Sequence, residues 1–499
     1  MLTNITLFAQ EEKAKVQFEK FAYQEAIQTY EMVIAKGKIT EEILSNIANA
    51  NYNIANYDEA SKWFQQLIDF PNAKIKPGDY YRFSQALKST EAYDKSAVWL
   101  KKFQEIKATD SRGLKYTNGK NYLSEIKAAS GRAQITPLPI NSSASEFAPS
   151  FYNDKLVFSS ARDSGTFSKT IHAWNKKPFL NLFESTINEN EELESPITFS
   201  KKLNSRAHES STVFTKDGNT VYFTRNNAKN GAFTRDGVGV SRLKLYTATK
   251  VNNTWSKPRE LPFNDDSYSI AHPSLNDTET MLYFASDMPG SIGDSDIFSV
   301  TLNTNNTYGT PVNLGPTVNT EGRETFPTIV NNSVLYFASD GHPGLGGLDI
   351  FAIDLNEDPG IVVNIGAPIN SPNDDFSYII NTTTKKGYFA SNRTGGQGSD
   401  DIYGFTETEA LALKCTTTIR GKVVSALDNT AIAEASVKIT NAQGKNISSQ
   451  TTNTDGTFEV VQTCKEGTYN LAAAKSEFNP NTTSFTLKNK EAEFITLAL

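Results

Sequence analysis

With 499 residues, 38% of them hydrophobic, and a formal charge of −7, the chain is long enough for about three folded domains. No run of about 18 apolar residues is present to cross a membrane as a helix. By region, residues 11–130 carry +2, residues 131–413 carry −10 and residues 414–499 carry +1, so the acidity lies in the middle and argues against a nucleic-acid partner.

The first ten residues, MLTNITLFAQ, are too short for a secretory leader and lack a positive start, yet LFAQ reads as the tail of one with cleavage after Ala9. Export is therefore expected. No cysteine lies near this start, so no lipid-attachment site is expected in the chain as written.

Residues 11–130 are expected to form tetratricopeptide-like helical repeats. FAYQEAIQTY (Phe21 to Tyr30) and ANYDEASKWF (Ala55 to Phe64) superpose with a shift of 34, and EAYDKSAVWL (Glu91 to Leu100) is a third copy. The Tyr-x-x-Ala core sets a large ring on one helix against a small residue on the next turn. A helix around Asn121 to Ala129 is expected to cap the array. Such an array presents a face for a peptide or partner helix, or packs on its neighbour as a spacer.

Residues 134–407 repeat one pattern five times, an apolar strand ending in an aromatic and a small residue, a Gly/Asp-rich loop and a second aromatic strand. The last three copies read LYFASD (Leu282 to Asp287), LYFASD (Leu335 to Asp340) and GYFASN (Gly387 to Asn392), each followed ten residues after its serine by Asp296, Asp349 or Asp401. The first two, KLVFSS (Lys155 to Ser160) and VYFTRN (Val221 to Asn226), carry longer loops, which closure entropy tolerates. The period predicts a five-bladed β-propeller. Proline-rich joints of the form x-Pro-x-x-Leu fall at Lys257 to Leu261, Thr310 to Leu314 and, degenerate, Ile365 to Ile369. A similar stretch, Ile135 to Ile140, precedes the first core and is expected to complete the last blade, which would close the ring and remove an exposed edge.

Residues 414–499 alternate with the period of strands in TTTIRGKVVSALDNTAIAEASVKIT (Thr416 to Thr440), NTDGTFEV (Asn453 to Val460) and TYNLAAAKSEF (Thr468 to Phe478), with a turn at Asp455 and Gly456, and predict a small β-sandwich. The two cysteines, Cys415 and Cys464, both fall here. A disulfide in an oxidising compartment is the favoured reading over two buried thiols.

Chemistry is sparse along the chain. His172, His208, His272 and His342 fit no metal spacing, and no cofactor motif is present. One constellation stands out. Glu146, Glu209, Glu324 and Asp375, with Ile270 in the third copy, fall at equivalent starts of the inner strands, three residues before Pro149, Thr212, Pro327, Tyr378 and, in the third copy, Pro273. A ring of carboxylates at a channel mouth would attract a cationic peptide or hold a metal. The favoured alternative is that each accepts hydrogen bonds from backbone amides of the neighbouring blade. Asp296, Asp349 and Asp401 follow glycines and are expected to hold tight turns rather than calcium. Phe158, Phe223, Phe284, Phe337 and Phe389 are expected blade core.

Three helical repeats, YFAS…DIF blades and a G-K-V…T-D-G-T-F sandwich, in that order, resemble the periplasmic OmpA-family proteins of the Bacteroidetes, of the PorE type. The blade motif is shared with TolB-type propellers, and the last region is similar to carboxypeptidase regulatory-like domains. The resemblance implies a non-enzymatic periplasmic adaptor, associated with the outer membrane and without a cofactor. Its implied partners are an outer-membrane barrel of the PorP/SprF type or other type IX secretion and gliding components. The wall-binding OmpA-type domain of that family has no counterpart before Leu499, so peptidoglycan is expected to be reached indirectly or through a missing domain. The competing readings are a propeller glycosidase, which needs two carboxylates about 5–9.5 Å apart, and a TolB-like peptide receptor.

Overall fold

The computed structural model describes residues 2–118, 122–162, 171–189, 192–229, 232–304, 307–357, 360–413, 416–463, 467–487 and 494–499. The chain divides into two compact units, Met1–Ile353 with Val362–Leu411, and Asp354–Ile361 with Ala412–Leu499.

The first unit opens with α1 (Leu2–Glu19), α2 (Tyr23–Ala35), α3 (Glu41–Asn53), α4 (Tyr57–Asp69), α5 (Pro77–Ser89), α6 (Tyr93–Ile106), α7 (Ser111–Asn118) and α8 (Tyr122–Ala128). The first six pack as antiparallel pairs. The helix α1 begins before the expected start of the array: residues 2–10 belong to it, and Leu7 packs against a core containing Ala14, Tyr23, Ala26 and Tyr30. Tyr23 and Ala26, Tyr57 and Ala60 are buried, as the Tyr-x-x-Ala spacing requires. Each pair turns in the same way. Phe21, Ala55 and Glu91 adopt left-handed backbones, with φ of 58°, 58° and 57°. The next amide then reaches back to the carbonyl of Gln17, Asn51 or Leu87, at 2.8, 2.9 and 2.9 Å, the double-bonded helix end usually built on glycine.

Among the described residues, five antiparallel sheets of four or five strands follow. Their innermost strands are Glu146–Tyr152, Glu209–Phe214, Ile270–Leu275, Glu324–Val330 and Asp375–Asn381. Each inner strand contacts that of the next sheet, and the fifth contacts the first, an arrangement consistent with a propeller. The segment Ala133–Pro137 pairs antiparallel with Asp401–Glu407 and completes the fifth sheet, so the N-terminal strand does cover its edge. Phe158, Phe223, Phe284, Phe337 and Phe389 are at most 1% exposed and form the cores. One expected joint shifts. The outer strand of the fourth sheet is Val363–Asn364, so Ile365, whose amide bonds Ile350 O at 3.2 Å, is the counterpart of Leu314, bonded to Ile297 O at 3.1 Å. The segment Ile365 to Ile369 lies beyond that strand; matching on proline misplaced it, because the β-bond partner is fixed by Val-Asn rather than by the ring.

The array packs on the sheets. The hydroxyl of Tyr57 donates to Asp374 Oδ1 at 2.6 Å, Gln85 Nε2 to Asp340 O at 2.7 Å and Tyr93 to Leu345 O at 3.1 Å, while the Ser111 amide reaches both oxygens of Glu321 at 3.1 Å.

In the second unit, Thr416–Val424 pairs antiparallel with Thr457–Thr463 and in parallel with Ile495–Ala498, and Ser436–Asn441 lies between Asn446–Thr451 and Gly467–Ala474 in a second sheet edged by Asn481–Leu487. Ile419, Val423 and Phe458 of the first sheet share a core with Val437, Ile439 and Leu471 of the second. Cys415 and Cys464 lie outside the described residues.

Candidate functional site

The segments entering each inner strand begin with an asparagine the pattern search overlooked. Asn141, Asn204, Asn264, Asn319 and Asn370 each clamp one residue of the preceding sheet's third strand, taking its N–H on Oδ1 and giving Nδ2–H to its carbonyl. The clamped residues are Ile402, Leu182, Leu245, Ile297 and Ile350, at 2.7–3.0 Å. The amide oxygen takes the buried N–H that the short outer strand leaves open, and the amide nitrogen adds a second donor to a carbonyl that already accepts a backbone amide from that strand's end. The signal was present: asparagine followed by Ser, Thr or Asp stands five residues before Glu146, Glu209, Glu324 and Asp375, and six before Ile270.

The four carboxylates come next, and all are 0% exposed. Each folds back on the residue four earlier. Glu146 accepts from Ser142 N and Oγ at 2.8 and 2.7 Å, Glu324 from Thr320 N and Oγ1 at 2.7 and 2.8 Å, and Asp375 from Ser371 N and Oγ at 2.6 and 2.7 Å; Glu209 takes the Ser205 amide at 3.0 Å. Thus the amide they hold is that of their own approach loop rather than of the neighbouring sheet. The link to the neighbour is made by the acid's backbone: Glu146 N bonds Asp400 O at 2.8 Å, Glu209 N Leu180 O at 3.1 Å, Glu324 N Ser295 O at 2.7 Å and Asp375 N Leu348 O at 2.7 Å.

Arginines complete three of these nodes. Arg162, Arg225 and Arg393 approach Glu146, Glu209 and Asp375 at 3.1, 2.8 and 2.5 Å, and each gives Nη2 to the carbonyl of Ile140, Leu203 or Ile369 at 2.6 Å. In the fourth sheet His342 stands in the arginine's place, its Nε2 2.8 Å from Val318 O. Burial, without a guanidinium to oppose it, pushes the Glu324 carboxyl up to about 8; Glu209, equally buried but beside Arg225, is raised to about 7. Asp375 is also raised, by burial, against the pull of Arg393.

The aspartates of the third strands hold the loops before them. Asp296 accepts the amides of Ile292 and Gly293 at 2.7 and 3.0 Å, and Asp349 those of Leu345 and Gly346, both at 3.1 Å. Asp401 takes the amide of Gly398.

The central cavity, of about 250 Å³, is lined by a different set of residues. Every inner strand bulges after its second residue, and Ala148, Ser211, His272, Phe326 and Ser377 take left-handed backbones with φ of 48–58°. The bulge separates two layers. Before it, the acids turn into their loops; after it, Pro149, Val213, Leu275, Pro327 and Ile379 face the cavity. Phe147, Phe326 and Phe376 cluster with centroids 5.0–6.2 Å apart, and His272 stacks on Phe326 at 3.7 Å with Nδ1 2.7 Å from Ser211 Oγ. Burial lowers His272 and His342 to about 3, so both are neutral at physiological pH. The histidines are less scattered than the sequence implies: His172 and His208 meet edge to face at 4.5 Å. Among the described residues no group of three or more His, Cys, Asp or Glu is placed to hold a metal ion.

A chain of helical repeats, stitched antiparallel sheets and a C-terminal all-β unit is the class the fold defines. Residues 418–499 match the carboxypeptidase regulatory-like domain family. Solved structures that resemble the chain include a protein described as TolB from Agrobacterium tumefaciens, with 13% identity, 66% of this chain and 98% of that one covered, and a TM-score of 0.33. An α-L-arabinofuranosidase from Lactobacillus brevis follows, with 12% identity, 54% and 93% covered, and a TM-score of 0.34. The RS223 β-xylosidase has 11% identity, 55% and 94% covered, and a TM-score of 0.35. No curated protein matches at the sequence level.

Proposed function

We propose that the protein is a non-enzymatic scaffold, in which a five-bladed propeller carries a tetratricopeptide-like array, with a carboxypeptidase regulatory-like β-sandwich following. On this reading it acts in the periplasm against the outer membrane. Its partner is an outer-membrane barrel of the PorP/SprF type or another type IX secretion or gliding component, and peptidoglycan is reached only indirectly or through a further domain. The observation that carries the scaffold reading is the fate of the acids. Glu146, Glu209, Glu324 and Asp375 are each closed by hydrogen bonds inside their own loop and are not among the residues lining the cavity. A glycosidase needs two carboxylates that reach one substrate bond. The five-bladed count is supported by the five clamped nodes and the closing strand Ala133–Pro137.

Affinity purification of the tagged protein from detergent-solubilised envelopes tests the reading. The expected outcome is near-stoichiometric recovery of an outer-membrane barrel or secretion component. A solitary protein that releases sugar from arabinan or xylan would overturn it. The second reading, a receptor for an extended peptide, draws on the central cavity, whose walls mix apolar side chains with hydroxyls such as Ser150, Thr212 and Thr328. It would be favoured instead if a peptide were recovered and Val213→Asp, at the cavity wall, abolished its capture.

A further inference from the structure

A second groove, of about 310 Å³, lies away from the central cavity, where the first two sheets meet. One wall is aromatic. Tyr152, Phe199, Phe214 and Trp255 pack together with centroids 4.2–6.2 Å apart, and Phe199 and Trp255 border the groove. The rim is cationic, made by Lys155, Lys201, Lys202 and Lys250, and Glu184 is the only carboxylate among its lining residues. Glu184 is already paired with Lys155 at 2.9 Å. A surplus of positive charge thus gathers in a region of the chain whose net charge is −10.

Two of the four lysines are held by side-chain partners, Lys155 by Glu184 and Lys250 by Tyr152. Lys250 gives Nζ to Tyr152 OH at 2.8 Å and lies 5.4 and 5.7 Å from the ring centres of Tyr152 and Trp255. Lys201 and Lys202, both exposed, ride a turn fixed by Ser200 Oγ, which accepts the amides of Lys202 and Leu203 at 3.2 and 3.3 Å, and by the Asn204 clamp on Leu182. The opposite lip is the hairpin Asn252–Asn253, with φ of 49° and 59°, which presents Asn253 and Thr254. Lys155 and Lys250, already held, cost little further ordering on binding.

We propose that this groove binds an acidic saccharide. Each part of the lining has a counterpart in that ligand: the lysines meet its anionic substituents, Ser200, Asn253 and Thr254 meet hydroxyls, and the half-buried Phe199, backed by Trp255, gives an apolar wall to the C–H groups of a sugar ring. An acidic peptide would also satisfy the lysines, but the apolar wall beside the polar lip matches a sugar ring, which carries C–H groups and hydroxyls together.

Calorimetric titration of the full chain with trigalacturonate, galactose 6-phosphate, neutral galactotriose and oligoglutamate tests this. One of the two anionic sugars should bind, and which one does so identifies a carboxylate or a phosphate as the recognised group. Galactotriose should bind about tenfold more weakly or not at all, and affinity should fall with salt. The exposed double variant K201E/K202E should lose about tenfold in affinity at an unchanged melting temperature, as expected for charge-assisted contacts. Absence of binding by both anionic sugars, oligoglutamate binding as tightly as they do, or indifference to K201E/K202E would each overturn the proposal.

Discussion

Glu324 and Asn319 carry the clearest consequences at the scale of single residues. Glu324 keeps its proton in the folded chain up to about 8, whereas an unfolded glutamate loses it near about 4.3. Between those values the folded state binds more protons, so its contribution makes stability fall as pH rises through the window. Glu324→Gln should therefore match the wild type near about pH 5 to within about 1 kcal/mol and exceed it above about pH 8; an unchanged slope of the urea midpoint against pH would refute the assignment. Asn319 is 0% exposed and serves both the N–H and the carbonyl of Ile297. Asn319→Ala strands the buried N–H of Ile297, whose carbonyl keeps the Leu314 amide, and should cost about 1–3 kcal/mol in urea unfolding; a loss below about 0.5 kcal/mol would mean that water replaces the clamp. The position of the acids was legible in the sequence, but their role was not. Their partners are the Ser or Thr four residues earlier and a serine or arginine from the second strand, and only folding brings these together.

At the scale of elements, the helix pairs and sheets followed from periodicity, because a Tyr-x-x-Ala stripe and an alternating aromatic strand each bury one face. The helix ends did not. Glu91 adopts φ of 57° at an exposed turn where glycine is the usual residue. A left-handed backbone costs a residue with a Cβ about 1–2 kcal/mol, while glycine loosens the unfolded chain by about 0.4–1 kcal/mol. Glu91→Gly should thus raise stability by about 0.5–1 kcal/mol, read as an increased urea midpoint; a decrease would show that Glu91 holds the turn by its side chain. The inner-strand bulges were likewise invisible, since Ala148, Ser211, His272, Phe326 and Ser377 span four residue types and have only a backbone conformation in common.

At the scale of the whole first unit, the helical face is occupied by the sheets it precedes. Lys88, on α5, is 1% exposed, with its Nζ against the Tyr116 hydroxyl and 3.9 Å from the Tyr116 ring centre. Burial lowers its ammonium to about 7. Below that value the folded state bears the full cost of a buried charge, and between about 7 and about 10.4 stability rises with pH as the unfolded chain alone stays charged. Lys88→Met should therefore raise the melting temperature most near about pH 6 and little near about pH 10; an equal gain at both would show that Lys88 is not charged in the fold. The order of helical, sheet and C-terminal regions and the strand that closes the fifth sheet were legible along the chain, because these depend on local periodicity and spacing. Which surfaces remain open depends on contacts between segments far apart in the chain. Tyr57 and Asp374 lie 317 residues apart, and nothing local distinguishes a tyrosine that bonds a distant loop from one that packs in its own repeat. The same holds for the acids: desolvation and hydrogen bonding set their chemistry, and both come from segments that meet when the sheets assemble.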